Sequence, residues 1–287
     1  MLITLKEILE LAEKKKIAVG AFNAANLESL RAIIDAAEEL ALPVILQFAQ
    51  CHEPWVPLAL IGPVMVDAAK KASVPVCVHL DHGETLEYLE EALKLGFTGI
   101  MYDGSTLPYE ENLENTGKAV AMAKAAGASV EAELGSMGKR ESGTGEESGE
   151  KDNTKIYTNP QKAKEFVLSS GIDALACSFG TTHGIYLSEP KLNFSIVEEV
   201  RALTGGIPVV MHGGSGIGKE DFQRAIRAGV RKINYFTYMD KAGGGAAEDY
   251  LQHLQREPRF FSSISAAART AMQENVKSAM KIFSFQE

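Results

Sequence analysis

Residues 208–236 read PVVMHGGSGIGKEDFQRAIRAGVRKINYF, and they hold one complete repeat of the chain's architecture. PVVM (208–211) and KINYF (232–236) are short apolar runs of strand length. Between them, Phe222, Ala225 and Ile226 share one face of a helical pattern, and Gly229 supplies its C-terminal stop. Strand, glycine-rich turn, helix and strand make up the βαβ unit of a parallel sheet.

The same alternation extends to both ends of the chain. Further runs are IAVGAF (17–22), PVILQF (43–48), PVCVHL (75–80), GIMY (99–102), SVEAEL (129–134) and DALACSF (173–179). They lack strict polar alternation, as strands buried on both faces do. In LESLRAIIDAAEELAL, Leu27, Leu30, Ile33, Ile34 and Ala37 mark a core-facing helix. Eight strand–helix repeats with no domain break favour a closed (β/α)8 TIM barrel over a doubly wound open sheet, and 287 residues suit one. The expectation is a single α/β domain over residues 1–287, extended by C-terminal helices at 246–283.

Residues 135–155, GSMGKRESGTGEESGEKDNTK, break the rhythm with no large apolar residue except Met137. Composition alone reads this as a solvated loop, with a mobile active-site lid as the alternative. Its position after the fifth strand sends it from the C-terminal face.

Charge and composition narrow the partners. Lys+Arg 29 against Asp+Glu 38 leaves −9, which argues against nucleic acid. The three cysteines Cys51, Cys77 and Cys177 form no C-x-x-C pair, so a disulfide framework is not expected. No run of 18 apolar residues and no signal-peptide core is present, so a cytoplasmic protein without membrane contact is expected.

Polar residues collect where the strands end. They include His79, Asp81, His82, Asp103, Glu131, Glu133, His183, His212 and the turn Asn234 to Thr237. Four of the six histidines thus converge on one barrel mouth, as ligands of a metal or as hydrogen-bonded structural residues. The Gly213-Gly214-Ser215-Gly216 turn opens a helix and suits a phosphate dianion, although a tight turn needs glycine too. Asp81, beside His82, is either a general base or a capping residue.

Taken in order, GAFNAAN (20–26), HLDHG, YDGS, VEAELG, GTTHGIY, VMHGGSGI and INYFT resemble the class II ketose-bisphosphate aldolases, including fructose- and tagatose-bisphosphate aldolases. The resemblance implies a TIM barrel whose catalytic Zn2+ is held by His82, His183 and His212. It implies Asp81 as the base that takes the C4 hydroxyl proton of a ketose bisphosphate, releasing dihydroxyacetone phosphate. Asp103 and Glu133 match carboxylates that hold a displaced or second metal in some members. Gly184, Gly213, Gly214, Ser215, Asn234, Tyr235, Phe236 and Thr237 match segments that bind dihydroxyacetone phosphate, near which a monovalent cation such as Na+ is also seen. Glu141 aligns with a loop glutamate that exchanges the C3 proton, with Lys139 and Ser142 departing from the pattern around it.

Other departures lie on the aldehyde side. The pattern's serine after strand two is Ala49, and Tyr235-Phe236 replaces its strand-eight middle pair. Arg259 stands where a D-P-R arginine reaches a neighbouring subunit's distal phosphate, and the family implies a homodimer or homotetramer. Against a lysine imine, the expectation is that no lysine sits at a strand C-terminus, Lys232 falling at the start of strand eight on the wrong face. A metal-dependent isomerase or epimerase and a non-catalytic aldolase-like subunit are the alternatives.

Overall fold

A computed structural model describes residues 1–135, 157–186, 189–253 and 258–286. Glu141 and most of the 135–155 loop lie outside the described residues.

Eight parallel strands close into a barrel: β1 (Val19–Asn23), β2 (Val44–Ala49), β3 (Val76–Gly83), β4 (Gly99–Tyr102), β5 (Ser129–Leu134), β6 (Ala174–Cys177), β7 (Val209–Met211) and β8 (Val230–Asn234). Pairing of β8 with β1, Ala21 opposite Asn234, removes both sheet edges and excludes the open sheet. Each strand is followed by a helix: α2 (Leu27–Leu40), α3 (Leu58–Lys71), α4 (Leu86–Leu95), α5 (Tyr109–Ala126), α6 (Pro160–Ser170), α7 (Phe194–Leu203), α8 (Lys219–Ala228) and α9 (Thr237–His253). The segment expected to hold C-terminal helices is covered by α9 and α10 (Phe261–Phe283), and α9 begins earlier, straight after β8.

Before the first strand, α1 (Leu5–Lys15) starts at a capping box of Thr4 and Glu7. Its Leu5, Ile8, Leu9 and Ala12 pack with Val19, Ala21, Ile45, Cys77, Ala174, Ala176 and Val210, plugging the barrel floor with apolar side chains. The larger core lies between the strands and the surrounding helices.

The last helix, α10, packs on α9 and α2. Its Phe283 sits edge-on to Phe222 and Tyr235, with centroids 4.8 and 6.2 Å away, and its carbonyl accepts from the Ala18 amide at 3.0 Å. This latch fastens the β1–β8 seam from outside.

Side chains alternate across each strand, so the inward set above the floor is polar: Asn23, Gln47, His79, Asp81, Glu131, Glu133, Lys232 and Asn234. Lys232 is a correction to the sequence reading. It occupies the middle of β8 and is wholly buried inside the barrel, because in-out alternation rather than strand direction decides where its ammonium goes.

Candidate active site

Strand alternation would place Asp81 and His82 on opposite faces. The structure brings both into the mouth by a register shift between β3 and β4, spanning Leu80 to Gly83, with His82 at φ +46°. Left-handed backbone is costly for a residue with a Cβ, and such strain collects at functional positions.

Asp81 is buried and held by three amides from three other strands. Asn234 Nδ2 donates to its Oδ1 at 3.0 Å, and Gln47 Nε2 donates to Oδ2 at 3.1 Å. Asn23 Nδ2 reaches Oδ2 at 3.5 Å, while its own Oδ1 accepts from Gln47 at 2.9 Å. Burial alone would raise the Asp81 pKa, but positive charge at His82 and Lys232 holds it far below the usual carboxylate range. The carboxylate is therefore ionised and fixed in orientation. The amide oxygens of Gln47 and Asn234 remain buried without hydrogen-bond partners.

Around Asp81, His82, His183 and His212 approach one another with ring centroids 4.7 to 5.7 Å apart. One nitrogen from each lies within 4.8 Å of the others. His82 Nδ1 lies 2.7 Å from Asp103 Oδ2, and His212 Nε2 lies 2.9 Å from Glu131 Oε1. An ionised carboxylate only accepts, so both of those ring nitrogens carry hydrogen. That leaves His82 Nε2, buried and without a hydrogen-bond partner, and His212 Nδ1, which faces only Glu133. Outer carboxylates that fix the free nitrogen in this way are usual around metal-binding imidazoles.

The electrostatics favour a cation there. Burial lowers the His82 pKa, yet Asp81, Asp103 and Glu133 outweigh it and push it up to about 10. Glu133 Oε2 lies 3.2 Å from His212 Nδ1, and His82, Asp103 and Glu133 form a second convergent donor set. Beneath them, Glu131 is pulled down to about 2: burial resists, while Lys232 and His212 stabilise its charge. Three nitrogen donors amid surplus negative charge fit a zinc ion.

The rim of the site is built from loops after β6, β7 and β8. Tyr186 Oη accepts from the Thr182 amide at 3.0 Å and donates to the Gly213 carbonyl at 2.8 Å, tying the His183 and His212 loops together. Gly213 has φ +64°, and a methyl group there would strike the Thr182 carbonyl. The Gly214 amide donates to the Asn234 carbonyl at 3.0 Å. Ser215 Oγ accepts from the Tyr238 amide at 3.3 Å in the first turn of α9. Gly184, Gly213, Gly214, Ser215, Asn234, Tyr235, Phe236 and Thr237 all line the cavity that holds Asp81, His82 and His183.

Two sequence-derived residues behave differently. The Tyr235 ring packs on Phe22 and Phe283 in the outer core, although the residue also lines the cavity. Arg259 is exposed in a surface groove with Glu248, Leu251 and Gln252, apart from the histidines of its own chain. Sequence reasoning missed Asn23 and Gln47 as the anchors of Asp81, although a lone amide in the apolar run VILQF was a signal.

The class-II fructose-bisphosphate aldolase family model matches residues 3–287. The chain belongs to that family. It is 38% identical to a fructose-bisphosphate aldolase of Staphylococcus aureus, covering 98% of this chain and 97% of that protein. A fructose-bisphosphate aldolase of Geobacillus stearothermophilus is 39% identical, over 98% of this chain and 96% of that protein. Among solved structures, the YdjI aldolase of Escherichia coli K12 superposes with a TM-score of 0.86 at 35% identity, over 99% and 97% of the two chains. The chain is a closed barrel with its polar cluster at the C-terminal strand ends, and no helix of its described residues is long and apolar enough to cross a membrane.

Proposed function

We propose that this chain is a zinc-dependent aldolase that reversibly cleaves a ketose carrying a C1 phosphate into dihydroxyacetone phosphate and an aldehyde. The observation that carries this reading is the three-amide-bound Asp81 set beside three imidazoles whose nitrogens converge. His82, His183 and His212 would hold the zinc, which supplies Lewis-acid polarisation of the C2 carbonyl. Asp81 takes the C4 hydroxyl proton as the C3–C4 bond breaks and its electron pair moves toward C2. The C1 phosphate lies against the Gly184, Gly213-to-Ser215 and Asn234-to-Thr237 turns, at the N-terminus of α9.

Glu141 returns the proton to C3 in this scheme. Asp103 and Glu133 offer a second cation position beside His82, and a monovalent cation accompanies the phosphate. A cytoplasmic homodimer or homotetramer completes the proposal; light scattering tests the assembly.

Chelation with EDTA should abolish release of dihydroxyacetone phosphate and zinc should restore it. A substrate–lysine adduct trapped by borohydride would overturn the mechanism, and a product that keeps all its carbons would point to an isomerase.

A further inference from the structure

One wall of the cavity, formed by His52 and by Phe236 of the strand-eight turn, is aromatic. His52 ends the 3-10 turn Gln50–His52 that follows β2. It stacks on Trp55 with centroids 4.8 Å apart and planes at 14°, and it meets Phe236 at 4.9 Å. Trp55 and Phe236 are 6.4 Å apart, and Phe48 stands edge-on behind His52. His52 is 4% exposed and Trp55 65%, so the stack runs from the cavity wall to the solvent rim.

Among the described residues lining the cavity there is no lysine and no arginine. Burial drags the His52 pKa down to about 4 against the pull of Asp81, so the imidazole is neutral at pH 7. Ala49, paired in register with Asp81, contributes only a methyl group. His52 Nδ1 is buried and has no hydrogen-bond partner.

We propose that the His52–Trp55–Phe236 shelf is the subsite for the aldehyde product, and that it selects an uncharged hydroxyaldehyde over one bearing a terminal phosphate. This rests on the aldolase reading above. A phosphate dianion on the shelf would lose water against ring faces, which carry partial negative charge, with the Asp81 carboxylate nearby. A neutral hydroxylated chain lays its C–H groups on the rings without that desolvation cost.

The test uses the zinc-loaded full chain with dihydroxyacetone phosphate as donor. Aldol synthesis is measured with glyceraldehyde and with glyceraldehyde 3-phosphate. Exchange of the donor's C3 hydrogen into D2O, without any aldehyde, reports the donor half separately. The expected kcat/KM favours glyceraldehyde by roughly tenfold or more. Trp55→Ala should lower turnover of glyceraldehyde relative to exchange by about tenfold. Phe236→Arg should shift the preference toward the phosphorylated aldehyde. A wild-type preference for glyceraldehyde 3-phosphate, or an unchanged ratio in Trp55→Ala, overturns the inference while donor exchange keeps the aldolase reading intact. Absence of donor exchange in the wild type overturns both.

Discussion

Lys232 Nζ donates to Glu131 Oε2 over 2.7 Å, with both side chains wholly buried beneath the histidine cluster. The other Glu131 oxygen accepts from His212 Nε2, so the ammonium, the carboxylate and a candidate metal ligand form one chain of hydrogen bonds. Removing the lysine leaves a buried carboxylate without its fixed cation. Lys232→Met should therefore cost roughly 3–5 kcal/mol of stability, read by urea denaturation. Glu131→Gln weakens the hold on the His212 ring, and zinc affinity should fall about 10–100-fold in a chelator competition.

Asp81 can be separated from the metal by experiment. Asp81→Ala removes the base without touching the three imidazoles. Its kcat should fall by roughly 10²–10⁴ while bound zinc, measured by atomic emission, stays at the wild-type ratio. A parallel loss of zinc would reassign Asp81 to holding the metal site together.

Glu141 is proposed to act on C3 rather than on the C3–C4 bond. Glu141→Ala should suppress hydrogen exchange at C3 of dihydroxyacetone phosphate, followed by NMR in D2O, with zinc content unchanged. Normal exchange in that variant would move the role to the neighbouring Glu146-Glu147 pair of the same loop sequence.

Acid should loosen the barrel floor through Glu13. This α1 carboxylate accepts from Arg231 Nε at 2.6 Å and from Arg201 Nη2 at 2.9 Å. Burial alone would raise its pKa, but those guanidinium groups and Lys16 bring it down from 4.5 to about 2. A depressed folded-state pKa gives stability that is complete above the unfolded value and lost as pH falls toward the folded one. The Tm gap between wild type and Glu13→Gln should hence shrink between about pH 4.5 and about pH 2. A gap independent of pH would show that Glu13 contributes by packing instead.

Much of this molecule was legible in its residues, and the exceptions have physical causes. The eight apolar runs became eight strands because strands buried on both faces need no polar alternation. His79, His82, His183 and His212 were readable as a group because barrel strand ends converge, and the family resemblance singled out His82, His183 and His212. What sequence could not give was the backbone turn at His82, which depends on a register shift with β4. Nor could it show Asn23, Gln47 and Asn234 meeting on Asp81, since they come from three strands far apart in the chain. His52 and Trp55 sit in an irregular turn with no period to reveal which way they face.

The Phe283 latch has a consequence for synthesis on the ribosome. The aromatic contacts and the Ala18 bond that secure the first strand against the last come from the far end of α10. A nascent chain can assemble its early βα units, but the seam waits for α10 to emerge. Until then the β1 edge is open to other chains, so losing the tail of α10 should raise misassembly during translation more than it lowers the stability of finished molecules.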